Sequence, residues 1–152
     1  MTTTVECVHA PIDGTVTNAD RGTVTVYVAP TDAHDIYSPV YGMITGFREE
    51  SGEWTRPGTF NVPDQTKTGR LVIEMATDGG RRFEFWIEVG HGTYITDTIK
   101  ITSRPGELLS KGTPMGEIVV GSLYEMHLGD AQILAKVGNG VKGAVTPLAI
   151  FS

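Results

Sequence analysis

Two short motifs each occur twice along this chain of 152 residues, and these repeats limit its possible folds more than any other feature. In each pair the glycines return at matching places. The first pair is Pro11-x-x-Gly14-x-Val16 and Pro39-x-x-Gly42-x-Ile44; the second is Gly106-x-x-Leu109-x-x-Gly112 and, approximately, Gly138-x-x-Val141-x-Gly143. Glycine permits sharp bends and close approach of two backbones, so strand-turn units repeated in this way predict a pseudo-symmetric, tightly curled β structure.

Short β-branched runs separated by glycine and proline support the same conclusion. Residues 23–28 alternate with a period of two and form the clearest predicted strand. Further strands are predicted over residues 3–10, 15–17, 40–47, 71–75, 83–89, 93–102, 116–120, 123–128, 131–137 and 148–151. No window has helical periodicity beyond a short turn near residues 107–110. We therefore expect one all-β domain over residues 1–152, a barrel-sandwich hybrid with duplicated strand-turn units, as in lipoyl-type domains.

The predicted connections differ in how clearly the sequence defines them. Turns are expected at residues 11–14 and 18–22, and Asp78-Gly79-Gly80 predicts a tight hairpin. Residues 30–39 are a polar connection dense in groups that can do chemistry. Residues 48–69 read as a long loop or a small hairpin, in which Trp54 and Phe60 are candidate contact residues.

Composition excludes several classes of function. The net charge is −6 without a run of Lys or Arg, which argues against binding to nucleic acid or anionic lipid. Cys7 is the single cysteine, so neither an internal disulfide nor a cysteine-based zinc site is expected. The N-terminus lacks the pattern of a signal peptide, and no apolar run approaches about 20 residues. We expect a soluble protein, cytoplasmic or part of a particle assembled there.

Five segments, taken in order from about residue 10 to the end, resemble the phosphatidylserine decarboxylase family. They are Ala10-Pro-Ile-Asp-Gly-Thr-Val, Val28-Ala-Pro-Thr-Asp-Ala-His-Asp-Ile-Tyr-Ser-Pro-Val-Tyr-Gly, Val89-Gly90 with Thr98-Ile99, Lys111-Gly112 with Met115-Gly116 and Val120-Gly121-Ser122, and Val141-Lys-Gly-Ala-Val-Thr-Pro-Leu-Ala. The first resembles the family's Pro-x-Asp-Gly segment, and the fourth resembles its run that ends in Gly-Ser-Thr. The family's N-terminal region, often helical and membrane-associated, has no counterpart in this sequence.

The resemblance implies a self-cleavage reaction at Gly121-Ser122. In the family, the serine hydroxyl attacks the preceding carbonyl to give an ester, and elimination and hydrolysis then leave an N-terminal pyruvoyl group that serves as the electron sink for decarboxylation. Ser122 is then the candidate nucleophile, and Gly121 supplies the scissile carbonyl. Asp13 matches the family's aspartate, and His34 matches the first of two histidines spaced three residues apart, a residue that would handle substrate.

The second family histidine, which completes the triad with the aspartate and the serine, is replaced by Tyr37. A phenol with a pKa near about 10 is a poor general base at neutral pH. His91, where the family usually has alanine, is a possible substitute that nothing in the sequence brings near Ser122. The leading interpretation is therefore a non-catalytic relative that needs no cofactor and serves as a binding or structural module.

Such a module would bind other protein subunits, as a homo-oligomer or as a subunit or decoration protein of a larger assembly. The alternative is an active pyruvoyl-dependent decarboxylase of phosphatidylserine or a related amino substrate, cleaved into residues 1–121 and a chain that begins at Ser122. A carrier-type domain is disfavoured, because neither Lys67 nor Lys111 lies in the required hairpin.

Other side chains that could carry chemistry have simpler interpretations. A metal site from Asp32, His34 and Asp35 lacks a second cluster of ligands, so no metal is expected. His127 alternates with apolar neighbours and is interpreted as strand surface. Trp86 is interpreted as a packing or interface residue.

Overall fold

The computed structural model describes residues 5–29, 34–51, 69–88, 99–118 and 122–152, and at residues 51, 69 and 122 it describes the backbone alone. Within these ranges the regular structure consists of β-strands, without a helix. The strands are β1 Glu6–His9, β2 Gly14–Asp20, β3 Thr23–Val28, β4 Asp35–Tyr37, β5 Gly42–Ser51, β6 Gly69–Thr77, β7 Arg82–Glu88, β8 Ile99–Ile101, β9 Leu108–Leu109, β10 Pro114–Ile118, β11 Ser122–His127, β12 Gln132–Ile133, β13 Gly140–Val141 and β14 Pro147–Phe151. The predicted all-β class is confirmed.

The described strands form three antiparallel sheets. The large sheet has the order β13-β2-β3-β11-β7-β6-β5-β9, and the two small sheets have the orders β1-β14-β12 and β4-β10-β8. Alternation with a period of two sends one face of each long strand inward: Val24, Val26 and Val28 of β3 are fully buried. Side chains from all three sheets share one buried cluster, so the sheets enclose a common core.

The first repeated motif forms the same structure twice. Gly14 begins β2 and Gly42 begins β5, and a Cβ atom at either position would overlap the backbone of the neighbouring strand. Each strand then has a β-bulge directly after its buried residue, between Val16 and Asn18 and between Ile44 and Gly46. Glycine is therefore required at these corners because the neighbouring backbone occupies the space of a side chain.

The two repeats exchange hydrogen bonds. The His9 amide donates to Pro39 O at 2.9 Å, and the Tyr37 amide donates to Pro11 O at 2.8 Å. His9-Ala-Pro and Tyr37-Ser-Pro are therefore equivalent segments on opposite sides of a pseudo-two-fold axis.

The second repeated motif is related by the same axis. The Gly106 amide donates to Ile44 O and the Gly138 amide to Val16 O, both at 2.8 Å. Farther along, the Gly112 and Ala144 amides donate at 2.9 Å to the carbonyls of the equivalent residues 38 and 10. Gly112 (φ 89°) therefore aligns with Ala144 (φ 67°), one residue beyond the Gly143 that the sequence comparison paired with it, and Gly143 aligns with Lys111.

Several predicted boundaries were wrong. The turn expected over residues 18–22 is only Arg21-Gly22, because both residues have positive φ (51° and 78°) as a two-residue primed hairpin turn requires, and β2 continues to Asp20. The strand expected over residues 131–137 is limited to Gln132–Ile133. The polar connection contains β4, and the turn expected near residues 107–110 contains β9, since strands of two or three residues carry too little periodicity to be recognised.

Tyr124 ties the large sheet to the segment that precedes β2. Its side chain is fully buried and packs edge-on against Phe85, with ring centroids 5.4 Å apart. The phenol donates a hydrogen bond of 2.9 Å to Ile12 O. Burial raises the pKa of Tyr124, and the nearby Asp13 charge raises it further, so the hydroxyl keeps its proton as a donor.

We predict that Gly42→Ala destabilises the protein by about 3 kcal/mol, because the added methyl group would overlap the Ala76 carbonyl. Gly46→Ala in the same strand is the matched control and should cost less than about 1 kcal/mol, since its Cβ would meet only the Glu74 side chain. Urea denaturation of both variants measures the difference. Equal stabilities would contradict the proposed close approach of β5 and β6.

We predict that Tyr124→Phe lowers the free energy of unfolding by about 1–3 kcal/mol, because it leaves the Ile12 carbonyl without its donor inside the core. Tyr27→Phe is the control, since the Tyr27 side chain is exposed. Thermal or urea unfolding compares the two variants. A Tyr124→Phe protein as stable as wild type would show that the hydrogen bond contributes nothing to the fold.

Candidate functional site

Asp13 lies in the corner that leads into β2, and its carboxylate is held by backbone. Its Oδ1 accepts a hydrogen bond of 2.7 Å from the Gly143 amide. A Cβ atom at Gly143 would lie 3.0 Å from Tyr37 Cδ2 and 3.3 Å from Asp13 Oδ1. Glycine at this position thus lets the carboxylate and the tyrosine ring meet across it. We call Asp13, Tyr37 and Gly143 the aspartate corner.

Tyr37, the last residue of β4, reaches this corner because of the exchange between the repeats. Its amide is bound to Pro11 O, two residues before Asp13, and its Cα pairs with Pro114 of β10. The side chain is half-buried. The residue that replaces the expected imidazole therefore lies beside the aspartate, as a triad would require of a histidine.

His34 precedes β4 and faces a different neighbour. Its Nε2–H donates to Ala29 O at 3.1 Å, and its own carbonyl accepts from the Ile118 amide at 2.9 Å. Ala29 directly follows Val28, whose Cα pairs with Ser122. His34 is thus fixed by backbone contacts on both sides, next to the strand that pairs with the candidate nucleophile.

Ser122 is the first residue of β11, a strand of the large sheet. The preceding described strand, β10, belongs to the small sheet β4-β10-β8. β11 pairs with β3 on one side and with β7 on the other, so its backbone is held in the interior of the sheet. Thr15 of β2 pairs with Tyr27 of β3. Continuing that register brings Asp13 to the same end of the sheet as Val28 and Ser122, about two strand spacings (roughly 10 Å) from Ser122.

The sequence-predicted site residues therefore converge in part. Asp13 and His34 lie at the end of the large sheet where the backbone of Ser122 begins β11. Gly121 lies outside the described residues, as do the other candidates Asp32, Trp54, Phe60, Lys67 and His91. Their predicted roles stay predictions.

Two alternative chemistries gain no support from the described residues. No group of three His, Cys, Asp or Glu side chains in these ranges is arranged to hold a metal ion. Asp32, one of the three candidate ligands, lies outside the described residues.

Lys111 lies between β9 and β10, which pair with β5 and β4 respectively and not with each other. It therefore does not occupy the hairpin that a carrier domain needs.

His9 is a site residue that the sequence analysis missed. Its Nδ1–H donates to Ala144 O at 3.3 Å, and its pKa is lowered by burial and by the nearby Lys111 charge. The signal was present in the sequence, because His9-Ala-Pro stands in the first repeat where Tyr37-Ser-Pro stands in the second. The imidazole is thus found in the repeat opposite the one that contains Tyr37.

His127 lies on the face of the large sheet opposite the core. Its ring stacks on Trp86 with the centroids 4.0 Å apart, and its Nε2 is 3.5 Å from Glu125 Oε1. Burial lowers the pKa of His127, Glu84 partly offsets this, and Arg70 lowers it further. Trp86 and His127 thus pack on the sheet surface, as the sequence indicated.

We expect neutral His127 to stabilise the fold above its usual pKa of 6.5 and this contribution to be lost as pH falls through the lower folded-state pKa. A proton NMR titration of the His127 ring should give an apparent pKa below 6.5. His127→Gln should lose less stability than wild type when pH falls from about 7 to about 5. A titration above the usual value would reverse the sign and refute the expectation.

In the described part of the chain, no helix is both long and apolar enough to span a bilayer. No curated protein matches the sequence. A family model described as phosphatidylserine decarboxylase matches residues 18–149, a range that contains His34, Tyr37 and Ser122 and begins after Asp13. Because this match covers most of the chain and the motifs follow in the family's order, the protein belongs to the phosphatidylserine decarboxylase family.

Proposed function

We propose that this protein is a member of the family that does not process itself and that acts as a binding or structural module. The observation that carries this proposal is Tyr37 beside Asp13, reaching across Gly143. A serine hydroxyl needs a base to become a nucleophile, and a neutral phenol does not take up a proton near pH 7. The backbone of Ser122 begins β11, and Tyr37 stands where the family resemblance places the proton acceptor.

Among the described residues, no imidazole forms a hydrogen bond or ion pair with the Asp13 carboxylate. His34 Nε2 is engaged by the Ala29 carbonyl, and His9 Nδ1 by the Ala144 carbonyl. The Asp13 carboxylate itself accepts from the Gly143 amide. An Asp–His pair able to activate Ser122 is therefore not formed by these residues, which supports an uncleaved chain.

The binding part of the proposal is supported by large apolar side chains that solvent reaches. Leu108 is 75% exposed, Val137 64% and Val145 60%. Contact with another subunit would remove this surface from water. We therefore propose that the partners are protein subunits, in a homo-oligomer or as a subunit or decoration protein of a larger assembly.

Denaturing mass spectrometry tests the proposal. We expect one intact species near 16.4 kDa, in which residue 122 is an unmodified serine. The Ser122→Ala variant should show the same single chain. Two fragments divided between residues 121 and 122 in the wild type, absent from Ser122→Ala, would overturn the proposal.

A second variant tests whether the residues around Ser122 can still support self-cleavage once an imidazole is supplied. Tyr37→His returns an imidazole to the neighbourhood of Asp13, and we expect slow cleavage at Gly121-Ser122 over hours to days. Tyr37→Phe is the matched control, because it keeps the ring and provides no base. Cleavage in Tyr37→His alone would show that the missing proton acceptor is the main defect.

One observation favours a second candidate, a self-processing decarboxylase of phosphatidylserine or a related amino substrate. His34 is held beside Ala29, next to the Val28 that pairs with Ser122, so one imidazole lies near the candidate cleavage point. A pyruvoyl group at residue 122 would supply an electron sink, and His34 would position or protonate substrate there. Borohydride trapping of an amine on the fragment that begins at residue 122, abolished in Ser122→Ala, would establish this candidate instead.

A further inference from the structure

The pseudo-two-fold axis places a second corner opposite the aspartate corner, built on the same backbone. Its residues are His9, Tyr41 and Lys111, which are equivalent to Tyr37, Asp13 and Gly143 respectively. We call these three residues the lysine corner. The two corners have the same hydrogen-bonded backbone framework. They differ in charge, because one contains the Asp13 carboxylate and the other the Lys111 ammonium.

In the aspartate corner, the Gly143 amide is satisfied by the Asp13 carboxylate. The equivalent donor in the lysine corner is the amide of Lys111. It has no hydrogen-bond partner within the described ranges, since tyrosine replaces the aspartate at position 41. The twin corner shows that a carboxylate oxygen can accept from a backbone donor in this position.

The Lys111 ammonium has no anionic partner among the described residues either. Its Nζ contacts the Cys7 carbonyl at 3.3 Å and lies 5.3 Å from the centre of the Tyr41 ring. No carboxylate of the described residues lies within ion-pair distance of it, although the protein as a whole carries a net charge of −6. The side chain is half-buried, an environment in which a cation usually acquires a counter-ion.

His9 adds an imidazole ring to this corner. Its Nδ1 is taken by the Ala144 carbonyl, while its Nε2 has no partner among the described residues. The position of the ring follows from the exchange of hydrogen bonds that places Tyr37 against Gly143 in the twin.

We propose that the lysine corner is a binding site for a carboxylate, which accepts from the Lys111 amide as the Asp13 carboxylate accepts from Gly143 in the twin corner. One carboxylate oxygen accepts from the Lys111 amide, and the other faces the Lys111 ammonium. The exposed Tyr41 ring forms one wall. The ligand is either a small free carboxylate or an acidic side chain of a partner protein, and both bring the same group to the site.

Amide NMR of the full chain tests this proposal, with sodium acetate as the probe and sodium chloride at equal ionic strength as the reference. We expect saturable shifts of the Lys111 and Gly112 amides with acetate alone. The Gly143 amide is the internal control and should not move, because Asp13 already fills its corner. Repeating the titration with a short Asp-containing peptide with blocked ends distinguishes the sources: tighter binding than acetate assigns the site to a protein side chain, and equal binding to a small carboxylate.

Two variants measure the contribution of each side chain. Lys111→Gln should weaken acetate binding about tenfold, the usual effect of losing a charge-assisted hydrogen bond. His9→Gln should weaken it less, because burial and the Lys111 charge lower the pKa of His9 and disfavour its charged form. Lys142→Gln is the matched control, since it removes one positive charge from an exposed residue near the aspartate corner and should leave the affinity unchanged. Absence of a saturable shift, an equal shift with chloride, or equal weakening by Lys142→Gln would overturn the proposal. It does not depend on whether Ser122 is processed.

Discussion

The reciprocal hydrogen bonds between the two repeats are the constraint on which the rest of the structure depends. The amide of His9 is bound to the Pro39 carbonyl and the amide of Tyr37 to the Pro11 carbonyl, so each half completes the backbone of the other. Gly14 and Gly42 make this possible, because only a residue without a Cβ fits where each strand enters the large sheet. A two-fold exchange of this kind gives every position in one half a defined counterpart in the other.

The same framework carries opposite chemistry in its two halves. In the aspartate corner the chain provides its own carboxylate, and Gly143 leaves space for the Tyr37 ring. In the lysine corner the equivalent positions provide an ammonium group and an imidazole. The backbone donors are the same in both corners, and the residue types at three pairs of positions decide which corner contains its own anion and which presents an ammonium group.

The position of Ser122 also follows from the sheet. β11 begins at Ser122 and pairs with β3 and β7, which come from distant parts of the chain. Hydrogen bonds on both sides would hold this strand after a break before residue 122, so the fold is compatible with a cleaved or an intact chain. Under the proposed function, the difference between a processed and an unprocessed family member depends on proton transfer to a base.

Local pattern was sufficient for the long elements. Alternating valines identified β3 with its observed ends, and Asp78-Gly79-Gly80 identified the connection between β6 and β7. The short strands β4, β9 and β13 escaped detection because their formation depends on partners far away in sequence, which local alternation does not report. The turn at Arg21-Gly22 was placed too broadly, because positive φ at an arginine is imposed by the twist of the hairpin and leaves little trace in composition.

The sequence by itself determined the all-β class, the presence of two repeats, the family resemblance and the replacement of an imidazole by Tyr37. These properties follow from the residue types and from their spacing along the chain. Only the tertiary structure decided which residues meet: Asp13 with Gly143 and Tyr37, His34 with Ala29, and Lys111 with Cys7 and Tyr41. Such contacts join segments up to 130 residues apart, and their geometry is set by the pairing of whole strands and by the exchange between the repeats.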